Sequence, residues 1–139
     1  MTNRKLNQMQ RAGLMGAYLT AAELVSQGFV TTITSRNTQD VDILAYLPET
    51  KRTFGIQVKT NSESSSWSKG ASIKGIEELK SPNTFYVFVD LKKGERPDFY
   101  VVNSLNVYKR RKTARGGWIW FEAENSDLGN WKLMKTAGK

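Results

Sequence analysis

The order of its structural signals constrains this chain most: one long helical stretch is followed by three closely spaced strand signals. Over residues 3–27, apolar side chains recur at helical spacing and strand-forming residues are scarce, which predicts a helix that Gly28 ends. Strand signals follow at 29–34, 41–47 and 53–60. The polar turn between the last two strands predicts that they pair as a hairpin.

The second half of the chain completes an α/β pattern. Residues 61–72 are serine-rich and are predicted to form a loop. The most apolar strand signal lies at 84–91 and favours an interior position, and a further strand at 98–102 leads into a short basic helix. The aromatic tail is predicted to be a covering strand or loop. We therefore predict one α+β domain over residues 1–139, with a mixed central sheet of about five strands, an N-terminal helix packed on it and a second helix after the last core strand.

Composition narrows the available chemistry. The 139-residue chain contains no cysteine and no histidine. This excludes disulfides, thiolate metal sites, histidine-dependent catalytic dyads and most zinc sites. Any metal must then be a hard cation bound by oxygen atoms, with Mg²⁺ or Mn²⁺ as the expected ion. No apolar run approaches the roughly 18 residues that cross a bilayer, and no secretory signal is visible, so we expect a cytoplasmic protein without a membrane partner.

The charge balance indicates a polyanionic partner. The chain has 21 Lys and Arg residues against 13 Asp and Glu residues, a formal net charge of +8. Such a charge concentrates phosphate backbones at a protein surface, although solubility alone also explains it. The candidate contacts to nucleic acid are Trp67 and Lys69 in the serine-rich loop and Lys109, Arg110 and Arg111 in a basic run. The alternatives are that Trp67 anchors its loop and that the basic run is a solvated face.

The candidate catalytic site consists of three residues: Asp42, Gln57 and Lys59. Strand alternation puts Gln57 and Lys59 on one face, two residues apart. A lysine in an otherwise apolar strand is costly unless it meets an acid or a phosphate. If the predicted hairpin forms, Asp42 can lie on the same face beside both residues.

This set of side chains suits phosphodiester hydrolysis. Asp42 would bind a divalent cation through its carboxylate, and Gln57 would add a carbonyl oxygen. Lys59 would orient the nucleophile or stabilise the developing negative charge. Taken singly, Asp42 is more simply a surface acid, and Lys59 is equally well an edge-strand lysine.

The segments 13–24, 41–44 and 56–60 resemble, in order and spacing, the PD-(D/E)XK nuclease superfamily. The chain is most similar to its small single-domain members, which resemble Holliday-junction resolvases and intron-encoded homing endonucleases. Some members carry glutamine where Gln57 stands. The resemblance implies a restriction-endonuclease-like core and a Mg²⁺-dependent deoxyribonuclease whose partner is DNA. Small domains of this kind often cut two strands as a pair, so it also implies a homodimer.

One departure from the superfamily pattern concerns the first helix. Members commonly carry a glutamate just after a glycine as a further metal ligand, and this chain has Ala17 there. Glu23 is six residues later, about 240° around the helix, and does not substitute for it. Asp42 then remains the main carboxylate, with Asp40 as a second candidate. The chain is therefore a weak nuclease, a nuclease that completes its site with DNA phosphates, or a non-catalytic nucleic-acid-binding module on the same fold. A small interaction or immunity-type protein is a further alternative.

Overall fold

The protein is described by a computed structural model that covers residues 7–35, 41–61, 81–92, 94–113, 115–116 and 119–137. Five strands form the main sheet, and short helices and a two-stranded ribbon complete the C-terminal part. The elements are α1 (Gln8–Ser26), β1 (Val30–Ile33), β2 (Ile43–Leu47), β3 (Arg52–Asn61), β4 (Thr84–Asp90), β5 (Asp98–Asn103), α2 (Ser104–Arg110), β6 (Lys112–Thr113), β7 (Ile119–Trp120), a 3₁₀ turn (Asn125–Asp127) and α3 (Lys132–Thr136).

The sheet is mixed and its strands follow the order β1-β2-β3-β4-β5. All neighbouring strands are antiparallel except β3 and β4, which run parallel. The predicted hairpin is confirmed: β2 and β3 pair from Ile43 with Ile56 to Leu47 with Arg52. The predicted sheet of five strands, with an N-terminal helix and a second helix after the last core strand, is confirmed as well.

Helix α1 begins with a capping box, in which the side chains of Asn7 and Gln10 each accept a hydrogen bond from the other residue's backbone N–H. It ends where predicted, with Gly28 in the left-handed region at φ 97°. The helix packs closely on β3 at Gly16, since a Cβ atom there would lie 1.9 Å from the Thr60 hydroxyl. Gly16 is therefore the residue that lets the helix backbone approach the sheet.

Each face of the sheet carries its own apolar cluster. On the α1 face, alternate residues of β2, β3 and β4 pack with Leu24 of α1 and with Trp131 and Met134 at the C-terminus. On the opposite face, α2 and Phe121 cover β4 and β5. The buried residues of this second cluster are Tyr86, Phe88, Val102, Val107 and Phe121.

Strand β4 lies between β3 and β5, one place from the edge, and six of its seven residues are buried. This agrees with an interior strand, although β3 occupies the middle. The tail contains the predicted strand, β7, and buries Phe121 and Trp131 as predicted, but it also forms α3, which was not predicted. Helix α3 has five residues, too few for a periodic signal, and it is held by the burial of Trp131 and Met134. Among the described residues, no helix is long and apolar enough to span a membrane.

Candidate functional site

Asp42 is hydrogen-bonded to Ile56 and Val58, the residues on either side of Gln57 in the sequence. Its backbone N–H donates to the carbonyl of Ile56 at 2.8 Å. Its carboxylate Oδ2 accepts from the backbone N–H of Val58 at 2.7 Å. Strand β2 starts at Ile43. The Asp42 carboxylate therefore replaces the backbone carbonyl that would accept from Val58 if β2 began earlier. Thr34 fixes the residue from the other side, because its N–H donates to the Asp42 carbonyl at 2.9 Å.

Gln57 and Lys59 lie on the sheet face opposite α1. Their register partners on β4 are Tyr86 and Phe88, which belong to the second apolar cluster. Between them, Val58 packs with the first cluster on the α1 face. The alternation predicted for this strand is therefore present.

The position of Asp42 relative to that face differs from the simplest expectation. A backbone N–H of a strand points along the plane of the sheet, and Oδ2 of Asp42 lies on the N–H of Val58. The carboxylate thus lies in the plane of the sheet, just before the first residue of β2, and not on the face that carries Gln57. The Asp42 carboxylate thus forms the last hydrogen bond between the two strands, at Val58, which lies between Gln57 and Lys59 in the sequence.

The oxygen atoms at this junction fit a hard divalent cation in part. Gln57 Oε1 is buried and finds no hydrogen-bond donor among the residues that the structure describes. The other carboxylate oxygen of Asp42, Oδ1, accepts no hydrogen bond within the same part of the chain. Carboxylate and amide oxygens are ligands that Mg²⁺ accepts. The described ranges contain no group of three or more acidic side chains that could hold a metal ion, so water or substrate phosphates would fill the other ligand positions.

Position 17, where the superfamily commonly has its glutamate, lies on α1, which packs on the face of β3 opposite Gln57 and Lys59. Ala17 is buried and follows Gly16, which contacts Thr60, the residue after Lys59. The hydroxyls of Thr20 and Thr60 are both buried in this part of the protein and have no hydrogen-bond partner in the described residues. The contact between α1 and β3 is therefore tight and contains polar atoms, but it lacks a carboxylate at position 17.

The basic run holds mainly internal contacts. The Arg110 guanidinium forms two hydrogen bonds with the Asp127 carboxylate, at 3.1 and 2.8 Å, and lies 4.6 Å from the ring centre of Phe121. Hydrogen bonding to Asp127 raises the pKa of Arg110. Lys112 pairs with Glu122 at 3.0 Å. These contacts tie α2 and β6 to the C-terminal segment.

Arg111 and Lys109, the other two basic residues predicted to contact nucleic acid, form fewer contacts than Arg110 within the described residues. The Arg111 guanidinium stacks 3.8 Å from the ring centre of Tyr108 and donates to the carbonyl of that residue. Lys109 is exposed and forms no ion pair with the described residues. Trp67, Lys69 and Asp40 lie outside the described residues, so their predicted roles stay predictions.

A polar row on the same sheet face extends beyond Lys59 and was not predicted. Asn61 pairs with Asp90 of β4, and Asp90 pairs with Asp98 of β5. Asp98 forms an ion pair with Lys92 at 2.7 Å. Burial raises the pKa of Asp90, Lys92 lowers it and Asp98 raises it. Asp90 and Asp98 lie on either side of the turn between the strands predicted at 84–91 and 98–102. A prediction that these two strands form a hairpin would have placed the two carboxylates next to each other.

No protein-family model matches the chain, and no curated protein matches its sequence. Among solved structures, the chain is similar to Hjc, a Holliday junction resolvase of the archaeal hyperthermophile Archaeoglobus fulgidus. The TM-score is 0.48 at 15% sequence identity, over 78% of this chain and 88% of that one. The architecture described above is an α+β fold with a mixed five-stranded sheet.

Proposed function

We propose that this protein is a nuclease-like protein that acts on DNA and hydrolyses phosphodiester bonds with a divalent cation. The observation that carries the proposal is the junction at which Asp42 is bonded to both neighbours of Gln57, with Lys59 two residues further along the same strand. In this proposal the Asp42 carboxylate, the buried amide oxygen of Gln57, which has no donor among the described residues, and the Lys59 ammonium group would act together where β2 begins.

Each residue has a role that follows from its chemistry. Asp42 and Gln57 would hold Mg²⁺ or Mn²⁺, which supplies charge neutralisation at the phosphate and activation of water. Lys59 would stabilise the negative charge that develops on the scissile phosphate. Asp42 also fixes the backbone between Gln57 and Lys59, because its carboxylate accepts the N–H of Val58. The site would thus be positioned by a strand and not by a loop.

A non-catalytic DNA-binding module is the second candidate function, and Ala17 favours it. Without a glutamate at position 17, Asp42 is the carboxylate assigned to the site, and the described part of the chain has no group of three acidic side chains that could hold a metal ion. A single carboxylate holds a divalent cation weakly. In this case, the +8 charge would attract DNA without cleavage.

Cleavage assays with matched variants separate the two functions. Linear, nicked and branched DNA would be incubated with Mg²⁺ or Mn²⁺ and wild-type, Asp42→Asn or Lys59→Met protein. An enzyme predicts metal-dependent cleavage that falls on the order of 10²–10³-fold in each variant. Binding without cleavage of any substrate decides for the binding module. Absence of binding near 50 mM salt would contradict both functions.

Ala17→Glu tests the incomplete ligand set with a readout that does not need activity. We expect the new carboxylate to destabilise the protein without metal, since position 17 is buried. Added Mn²⁺ should raise the melting temperature of this variant more than that of the wild type, because binding to the folded state stabilises it. Ala12→Glu, on a less buried part of α1, is the matched control and should show no extra response to Mn²⁺. Equal shifts in both variants would show that a carboxylate at position 17 adds no metal ligand.

Phosphate contacts are assigned to Lys109, which is exposed and unpaired in the described residues. Lys109→Ala should reduce the slope of log affinity against log salt concentration by about 0.9, the value for one phosphate contact. Lys132→Ala, at an exposed lysine of α3, provides the comparison. An unchanged slope in Lys109→Ala would remove the basic run from the binding surface.

A homodimer is also part of the proposal, and the outer side of α1 supports it. Met15, Tyr18 and Val25 are each more than half exposed and, with Ala22, follow a 3–4–3 spacing opposite the buried side of the helix. A pair of helices about 28 Å long is a small interface, so we expect micromolar self-association. Sedimentation equilibrium should show a dimer that Tyr18→Lys abolishes and that Leu128→Lys, at another exposed apolar residue, preserves.

A further inference from the structure

On the sheet face that carries Gln57, the half formed by β1 and β2 is covered by none of the described residues. On the α1 face, the inward residues of β2 are buried and those of β1 are partly buried, whereas Val30, Leu44 and Tyr46 on the other face are 61%, 41% and 37% exposed. On β4 and β5, α2 and Phe121 cover the same face. The uncovered half is therefore an apolar surface, which we call the open face and define by Val30, Thr32, Leu44, Tyr46 and Thr53.

The open face is continuous with the proposed site. Val30 pairs with Tyr46 and Tyr46 with Thr53, while Thr32 pairs with Leu44 and Leu44 with Gly55. The next residues of β3 on this face are Gln57 and Lys59. A ligand bound at Gln57 and Lys59 on this face can therefore extend over Leu44 and Tyr46.

The chemistry of the open face suits the flat side of a nucleobase. Its five residues include an exposed aromatic ring, two aliphatic side chains and two threonines, and none of them is acidic. Proteins that bind single strands combine aromatic rings, on which bases stack, with a positive surface that follows the phosphates. Paired bases in a duplex present edges and not faces, so they cannot stack on a sheet surface.

We infer that the open face binds unpaired bases of single-stranded nucleic acid, with Tyr46 as the stacking residue, next to the Gln57–Lys59 site. This inference rests on the proposed function and specifies the form of its substrate. The occupant is a nucleic acid and not a second protein because the face leads to Lys59 and the chain as a whole is strongly cationic.

Binding of labelled single strands and duplexes tests this inference. Fluorescence anisotropy would be measured near 50 mM salt with EDTA, using oligo(dT) of about 12 nucleotides and a duplex of the same length. Tyr46→Ala should weaken single-strand binding about 5- to 100-fold and leave duplex binding within about twofold. Tyr46→Phe keeps the ring and should restore single-strand binding.

Leu44→Ala should show a smaller loss for the single strand. Its matched control is Leu105→Ala on α2, since Leu105 is 42% exposed, as Leu44 is at 41%, but lies outside the open face. Circular dichroism and melting curves would establish that each variant is folded. Equal losses for single strand and duplex, or no loss in Tyr46→Ala, would overturn the inference and leave the proposed function standing. Failure of the wild type to bind either probe would contradict the proposed function itself.

Discussion

Arg110 and Asp127 form a bidentate ion pair that joins α2 to the C-terminal segment. The guanidinium donates two hydrogen bonds to the carboxylate, at 3.1 and 2.8 Å, and Asp127 is buried. The same carboxylate accepts the backbone N–H of Glu124 at 2.8 Å. Arg110 therefore has a structural role, although it belongs to a basic run. In this it differs from its neighbour Lys109, which is exposed.

Asp127→Ala should destabilise the protein strongly. The change leaves a partly buried guanidinium and the N–H of Glu124 without their acceptor, and breaking such a pair costs on the order of 3 kcal/mol. Glu122→Ala, which breaks the exposed pair with Lys112, should cost under about 1 kcal/mol. Urea denaturation measures both. Similar losses in the two variants would show that the Arg110–Asp127 pair is not a structural element.

Asp42→Ala should lower stability as well as any activity. The variant leaves the N–H of Val58 without an acceptor, at a cost of about 1–3 kcal/mol. Asp42→Asn keeps an acceptor oxygen and should lose less stability while still losing the negative charge. Free energies of unfolding from urea titration give the comparison. If Asp42→Ala and Asp42→Asn are equally stable, the hydrogen bond to Val58 contributes nothing.

Glycines 16 and 13 of α1 should respond in opposite ways to alanine. At Gly13 a Cβ atom meets nothing within 4 Å, so Gly13→Ala should gain up to about 1 kcal/mol from helix propensity. At Gly16 the new methyl group overlaps the Thr60 side chain, and overpacking costs about 1–3 kcal/mol. Thr60→Ala in the Gly16→Ala background should recover part of that loss. Melting temperatures that rise in both single variants would refute the close contact of α1 with β3.

Asp90→Asn should stabilise the protein at neutral pH. Because burial raises the pKa of Asp90 above its ordinary value of 3.8, the folded state holds this proton more tightly than the unfolded state. The charged carboxylate therefore opposes folding once the pH exceeds its folded pKa, and this penalty disappears as the pH falls towards 3.8. Urea midpoints measured from neutral pH downwards should show the advantage of Asp90→Asn shrinking. Glu95→Gln, at an exposed acid, is the control, and an advantage independent of pH would contradict the assignment.

Local patterns in the sequence were sufficient to predict the main sheet. Alternation in β3, the polar turn before it and the helical spacing in α1 each depend on residues close together in the chain. Packing then confirms them, because Ile56 and Val58 face α1 while Gln57 faces the other way. The Asp42–Val58 hydrogen bond could not be predicted, since it depends on where the β2–β3 ladder ends.

The C-terminal part was predicted less well for a physical reason. Helix α3 is one short turn that is stabilised by burial of Trp131 and Met134 and not by its own propensity. The pairing of Arg110 with Asp127 joins residues 17 positions apart, with a short ribbon between them. A run of basic residues shows the charge of a segment but not which of its side chains another segment neutralises.

The hydrogen bond between Asp42 and Val58 affects how relatives of this chain should be compared. An acceptor at position 42 closes the sheet whether or not the protein cuts DNA. A lineage that lost cleavage would still be under selection for stability to keep Asp42, so its retention is poor evidence for enzymatic activity. Gln57 has no such constraint in the described part of the chain, because its side-chain oxygen is buried without a donor. Variation at position 57 should therefore follow the gain and loss of function more closely than variation at position 42.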